Sequence, residues 1–70
     1  MNINRAVMKE YEGKSFKDLV NAPVNAIAGV SDGDAEHLKA AFNVKTIKDL
    51  ATLKYVLWAQ AIVNLASTEE

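Results

Sequence analysis

Ser31-Asp32-Gly33-Asp34-Ala35-Glu36-His37-Leu38-Lys39-Ala40-Ala41-Phe42-Asn43 contains every signal of one complete helix. Ser31 is a hydroxyl N-cap, and Asp34, three residues on, can reach back to close a capping box while its charge suits the positive end of the helix dipole. Ala35, Leu38, Ala41 and Phe42 then form one apolar stripe at helical spacing, and Asn43 is a residue that tolerates the left-handed conformation of a terminator. The same start occurs twice more, at Ser15 with Asp18 and at Thr46 with Asp49. The two outer copies share hydroxyl, apolar, Lys, Asp, Leu and small apolar residues at an offset of 31 (Ser15 to Val20, Thr46 to Ala51). That offset lies in the range of helical repeat units, and two independent caps of similar design would read the same way.

Outward from these caps the chain continues to read as helix. Residues 2–11 place Ile3, Val7 and Tyr11 on one face, with Gly13 as the stop; the N-terminal helix is assigned to 1–14. Phe16, Leu19 and Val20 follow the Ser15 cap and end before Pro23, which itself opens a third helix through Val24, Ile27 and Ala28 to Gly29. A hairpin core spans 15–51, a C-terminal helix 52–66 and a frayed tail 67–70. No stretch alternates with the period of a strand. The expected fold is all-α, a compact bundle of about five short helices in a single domain.

The segment Ile27-Ala28-Gly29-Val30, the Ala35/Leu38 pair and Val44-Lys45-Thr46-Ile47-Lys48-Asp49-Leu50 together resemble a helix-hairpin-helix unit of the small helical bundles that include SAM-like domains. The resemblance covers about 28 residues. It implies a hairpin joining two short helices, and it implies an activity, since many members hold duplex DNA through backbone N–H groups at the hairpin. On that basis Gly29, Ser31, Lys39, Lys45, Lys48 and Lys54 are candidate nucleic-acid contacts. This chain departs from the pattern at the hairpin: Ser31 stands where the second glycine would be, followed by Asp32-Gly33-Asp34. A carboxylate ~6 Å from a phosphate repels it by ~0.7 kcal/mol even at water's dielectric. Ser31 and Asp34 also compete for the amides a phosphate would use.

Composition narrows the remaining classes. The 70 residues are half apolar, carry no cysteine and one histidine, and have a formal charge of −1. Disulfide staples and thiolate zinc sites are excluded, and a chain of this size buries only about 60% of its unfolded surface, which favours oligomerisation. The positive charge is spread along the chain instead of forming a basic stripe. Asp32, Asp34 and Glu36 do not have the ligand spacing of a calcium loop. His37 has no nucleophile placed with it and reads as a partly exposed packing residue, so no catalytic, cofactor or metal site is expected. The first ten residues lack the apolar core of a signal peptide, and the longest apolar-rich run, Tyr55 to Ala66, falls short of the about 20 residues of a membrane span; the expectation is a cytoplasmic protein.

That last run is the anomaly. Between Tyr55 and Ala66 only Gln60 and Asn64 are polar, so apolar residues wrap most of the helix, whereas packing on one core needs a stripe little over 100° wide. Either the four shorter helices surround this one as a central element, or one side carrying Tyr55, Trp58, Ile62 and Leu65 docks on a protein partner. The surplus favours docking, with a second copy (a homodimer) as the expected partner.

Overall fold

The computed structural model describes residues 2–69. Among these residues there are four α-helices and no strand: α1 (Phe16–Val20), α2 (Asp32–Phe42), α3 (Ile47–Ala51) and α4 (Lys54–Ala66). Three single 3₁₀ turns, Ile3–Arg5, Lys9–Tyr11 and Val24–Ala26, complete the order.

The caps form as their residues dictate. Ser31 Oγ accepts from the Asp34 amide (3.0 Å) and Asp34 Oδ2 accepts from the Ser31 amide (3.2 Å). Thr46 and Asp49 make the same reciprocal pair, both bonds at 3.1 Å. At α1 only half of the box is present: Ser15 Oγ accepts from the Asp18 amide at 3.2 Å. Asn43 ends α2 in the left-handed region, at φ 57° and ψ 33°. The repeated six-residue pattern thus gives two five-residue helices, α1 and α3, which pack on one another.

Two expected helices are replaced by something looser. The N-terminal segment, assigned a helix over 1–14, holds two 3₁₀ turns, because its backbone is recruited elsewhere. The Met8 amide donates to the Ala26 carbonyl (2.7 Å) and the Ala28 amide to the Ala6 carbonyl (2.9 Å), an antiparallel bridge between Val7 and Ile27 that a continuous helix could not make. The expected third helix shrinks to one 3₁₀ turn for a related reason. Pro23 is extended (ψ 150°), and its neighbours bridge to the segment before α3: the Val24 amide donates to the Lys45 carbonyl (2.9 Å) and the Ile47 amide to the Ala22 carbonyl (3.0 Å).

These bridges enclose a small core of Val7, Leu19, Ala22, Val24, Ala26 and Val44, with Val24 and Val44 each 1% exposed. Along α2, Ala35 and Leu38 are half-buried, whereas Ala41 and Phe42 are exposed. Phe16 and Val20 are exposed beside the buried Leu19, rimming an apolar groove of about 310 Å³ that Ile3, Ile27 and Ile47 also line.

The compactness expected of a bundle is corrected by α4. The chain measures 45 × 30 × 20 Å with a radius of gyration of 13.8 Å, against roughly 11 Å for a compact chain of this length. The long dimension arises because α4 touches the body mainly through α3 and leads away from it. From Leu57 to Glu69 every residue is exposed, which removes the central-helix alternative. Beyond α4, the Thr68 and Glu69 amides donate to the Leu65 and Ala66 carbonyls (3.1 and 3.3 Å); Glu70, the end of the tail expected to fray, lies outside the described residues.

Core and projecting helix therefore differ in what a truncation costs. In dilute solution Val24→Ala is expected to lower the unfolding free energy by about 2 kcal/mol, from lost burial and the cavity left behind. Val63→Ala on α4 is expected to change it by less than about 0.5 kcal/mol. Urea unfolding of the two variants checks the contrast.

Candidate functional site

The α4 surface is built on a short anchoring contact. Helix α3 ends at Ala51, where the Thr52 hydroxyl donates to the Lys48 carbonyl (2.7 Å); Leu53 then starts α4 with its amide donating to the Leu50 carbonyl (3.3 Å). Val56 is half-buried against the body, and the Tyr55 ring lies 5.9 Å from that of Phe42 at the end of α2. Trp58 meets Tyr55 edge-on at 5.8 Å, a geometry that complements the negative face of one ring with the positive edge of the other. Lys54 lays its ammonium 5.2 Å from the Tyr55 centroid and 5.7 Å from that of Trp58. The start of α4 is thus stiffened by aromatic and cation–π contacts, and its remaining turns extend into solvent.

The four residues that sequence reasoning selected share one side of this helix. Tyr55, Trp58, Ile62 and Leu65 are spaced three, four and three apart, and are respectively 50%, 58%, 69% and 68% exposed. That spacing repeats every seven residues, the pattern of a seam between paired helices. Ala59, Ala61 and Ala66 are the small positions beside the seam, and Lys54 borders its first turn. Sequence reasoning missed Phe42, which extends the aromatic surface from α2. The signal was its place at the end of its helix's apolar stripe, past the last residue that could reach the core.

The residues proposed for nucleic acid are less gathered. Lys39 and Lys45 share a shallow cleft of about 400 Å³ with Glu36, Ala40 and Asn43. Gly29 and Ser31 sit at the opposite end of α2, about 12 Å along its axis. Lys48 is on α3, and Lys54 is engaged with its aromatic rings. Gly29 is left-handed (φ 96°), a conformation glycine adopts without steric cost. The polar groups after it are already partnered: Ser31 and Asp34 with each other, and Asp32 Oδ1 with the Asn25 amide nitrogen at 2.8 Å. His37 is exposed on α2. Among the described residues no group of three His, Cys, Asp or Glu side chains could hold a metal ion, and no helix is long and apolar enough to cross a membrane.

Comparison with family models, with curated proteins and with solved structures found no match to this chain.

Cap hydrogen bonds favour the ionised form of two carboxylates. Asp49 is held below the ordinary aspartate range first by the Lys45 amide, then by the Thr46 amide; Asp34 is lowered by the Ser31 amide and hydroxyl, with a smaller contribution from His37. Because the folded state prefers both groups ionised, the stability they provide is complete above about pH 4 and is lost as the pH falls through the depressed values. Asn at position 49 can accept the same bonds without titrating. Asp49→Asn is therefore expected to flatten the fall in melting temperature between about pH 5 and pH 2.5, whereas Thr46→Ala is expected to cost about 1 kcal/mol across the range. Thermal melts at several pH values check both; identical acid slopes for Asp49→Asn and the parent would show that the cap is not the titrating element.

Proposed function

We propose that this chain is a non-catalytic interaction module that associates with a second copy of itself through α4. The observation that carries the reading is the exposed seam of Tyr55, Trp58, Ile62 and Leu65 on a helix that its own core does not cover. Contiguous apolar surface of this kind is unfavourable in water and is relieved when a complementary surface excludes solvent. Aromatic residues dominate such contacts because they bury much area for little lost rotamer freedom. The seven-residue spacing supports a helix as the occupant, and the identical helix of a second copy presents the same spacing. The seam is uncharged from Tyr55 to Leu65, so like copies meet no repulsion along it.

The competing reading, weak sequence-independent binding of nucleic acid, draws on Lys39 and Lys45, which share one cleft. Glu36 in that cleft and the acidic, internally bonded start of α2 oppose it. Four phosphate contacts would require a log–log salt slope of about −3.6 on duplex DNA.

A pair of measurements separates the two readings. The melting temperature of the parent chain is expected to rise with protein concentration, as it must when only the folded state associates. Trp58→Ala is expected to remove that rise, weakening association by about 2 kcal/mol or more. A melting temperature independent of concentration, with duplex DNA bound at low salt and released by added sodium chloride, would replace self-association with the nucleic-acid reading.

A further inference from the structure

The two ends of α4 carry charges that suit neither their own helix nor a parallel copy. Lys54 lies in the first turn, where the positive end of the macrodipole disfavours a cation, and that turn holds no acidic residue. Glu69 follows the last turn, where the negative end disfavours an anion, and that turn holds no basic residue. The two lie on the order of 20 Å apart along the helix, well beyond the roughly 8 Å over which physiological salt lets exposed charges interact. They do not compensate one another within one chain, nor across two chains laid side by side in the same direction.

We infer that α4 pairs with α4 of a second copy in antiparallel orientation about a two-fold axis level with Gln60, bringing Lys54 of each copy within side-chain reach of Glu69 of the other. The inference rests on the self-association proposed above and adds its direction and register. Reversing one copy cancels the two macrodipoles and places an opposite charge at each mismatched end. The side chains along the seam point to the same arrangement. In parallel pairing every layer matches like with like, so two Trp58 indoles compete for one layer. In the antiparallel register Trp58 meets Ile62 and Tyr55 meets Leu65, a large residue against a smaller one in every layer, which is how facing surfaces reach native packing density. Ala59 and Ala61, one on either flank of the seam next to the two-fold, let the helix axes approach closely. Lys54 is held over the Tyr55 and Trp58 rings at the edge of the seam, so its charge sits where the partner helix ends.

The chain contains no cysteine, so single cysteines report the geometry directly. Ala61→Cys is expected to give an intermolecular disulfide under mild oxidation, because in the antiparallel pair its two copies lie on the same flank of the seam, about 3 Å apart along the axis. Leu65→Cys is expected to give none, its copies lying about 15 Å apart along the axis, whereas in a parallel pair they would face each other within bonding reach. Circular dichroism of each variant confirms that it is folded, and sedimentation of the reduced variants and of the parent reports association independently of the cross-link. A dimer that cross-links through Leu65→Cys and not through Ala61→Cys would overturn the antiparallel register and leave self-association standing. A parent chain that sediments as a monomer at every concentration would overturn both.

Discussion

The fold depends on a backbone clamp at Pro23. Proline has no N–H to lose, so the chain on either side of it can pair laterally, and the Ala22 carbonyl and Val24 amide bond the Ile47 amide and Lys45 carbonyl. That pairing brings Val24 against Val44 and fixes where α3 begins. On its other side the same segment receives the N-terminal residues through the Met8 and Ala28 amides. Three stretches distant in sequence are therefore joined by main-chain hydrogen bonds around a core of small aliphatic residues. A core made of valine, leucine and alanine is quickly enclosed, and once Val24 and Val44 are covered it has no further face to offer.

This limit accounts for α4. By the time the chain leaves α3, the compact body is complete, and the last helix is tied to it near its start, through Leu53, Val56 and the contact of Tyr55 with Phe42. A 13-residue helix has marginal stability in water by itself and takes most of its stability from burial of an apolar face. Here that face is left outside. The cation–π and edge-on aromatic contacts stiffen its first two turns, and the remainder depends on what covers the seam. The energetic division is thus sharp: hydrogen-bonded clamps and capping boxes hold the body, and a second surface is what the projecting helix lacks.

Much of this was legible from the residues, and the failures have a common cause. The three caps, the left-handed Asn43, the helical class and the apolar excess of residues 55–66 are all local signals, carried by side chains within a few positions of one another. The segments misread as helix, 1–14 and 23–29, have adequate helical patterning. They are overridden by long-range main-chain pairing, Val7 with Ile27 and Pro23 with Thr46, that leaves no local trace. Compactness failed for a related reason: composition reports how much apolar surface a chain has, and not which elements can reach one another. For α4 the pattern told of surplus, but the seven-residue seam and the mismatched charges at Lys54 and Glu69 acquire meaning only once the helix is seen to project.

Amide hydrogen exchange across the whole chain, followed as protein concentration is raised, tests this division most directly. The account predicts that in dilute solution the amides from Trp58 to Ala66 exchange far faster than those of Leu19, Val24 and Val44, and that they gain protection with concentration. Protection of α4 equal to that of the core in the dilute monomer, unchanged at higher concentration, would contradict it.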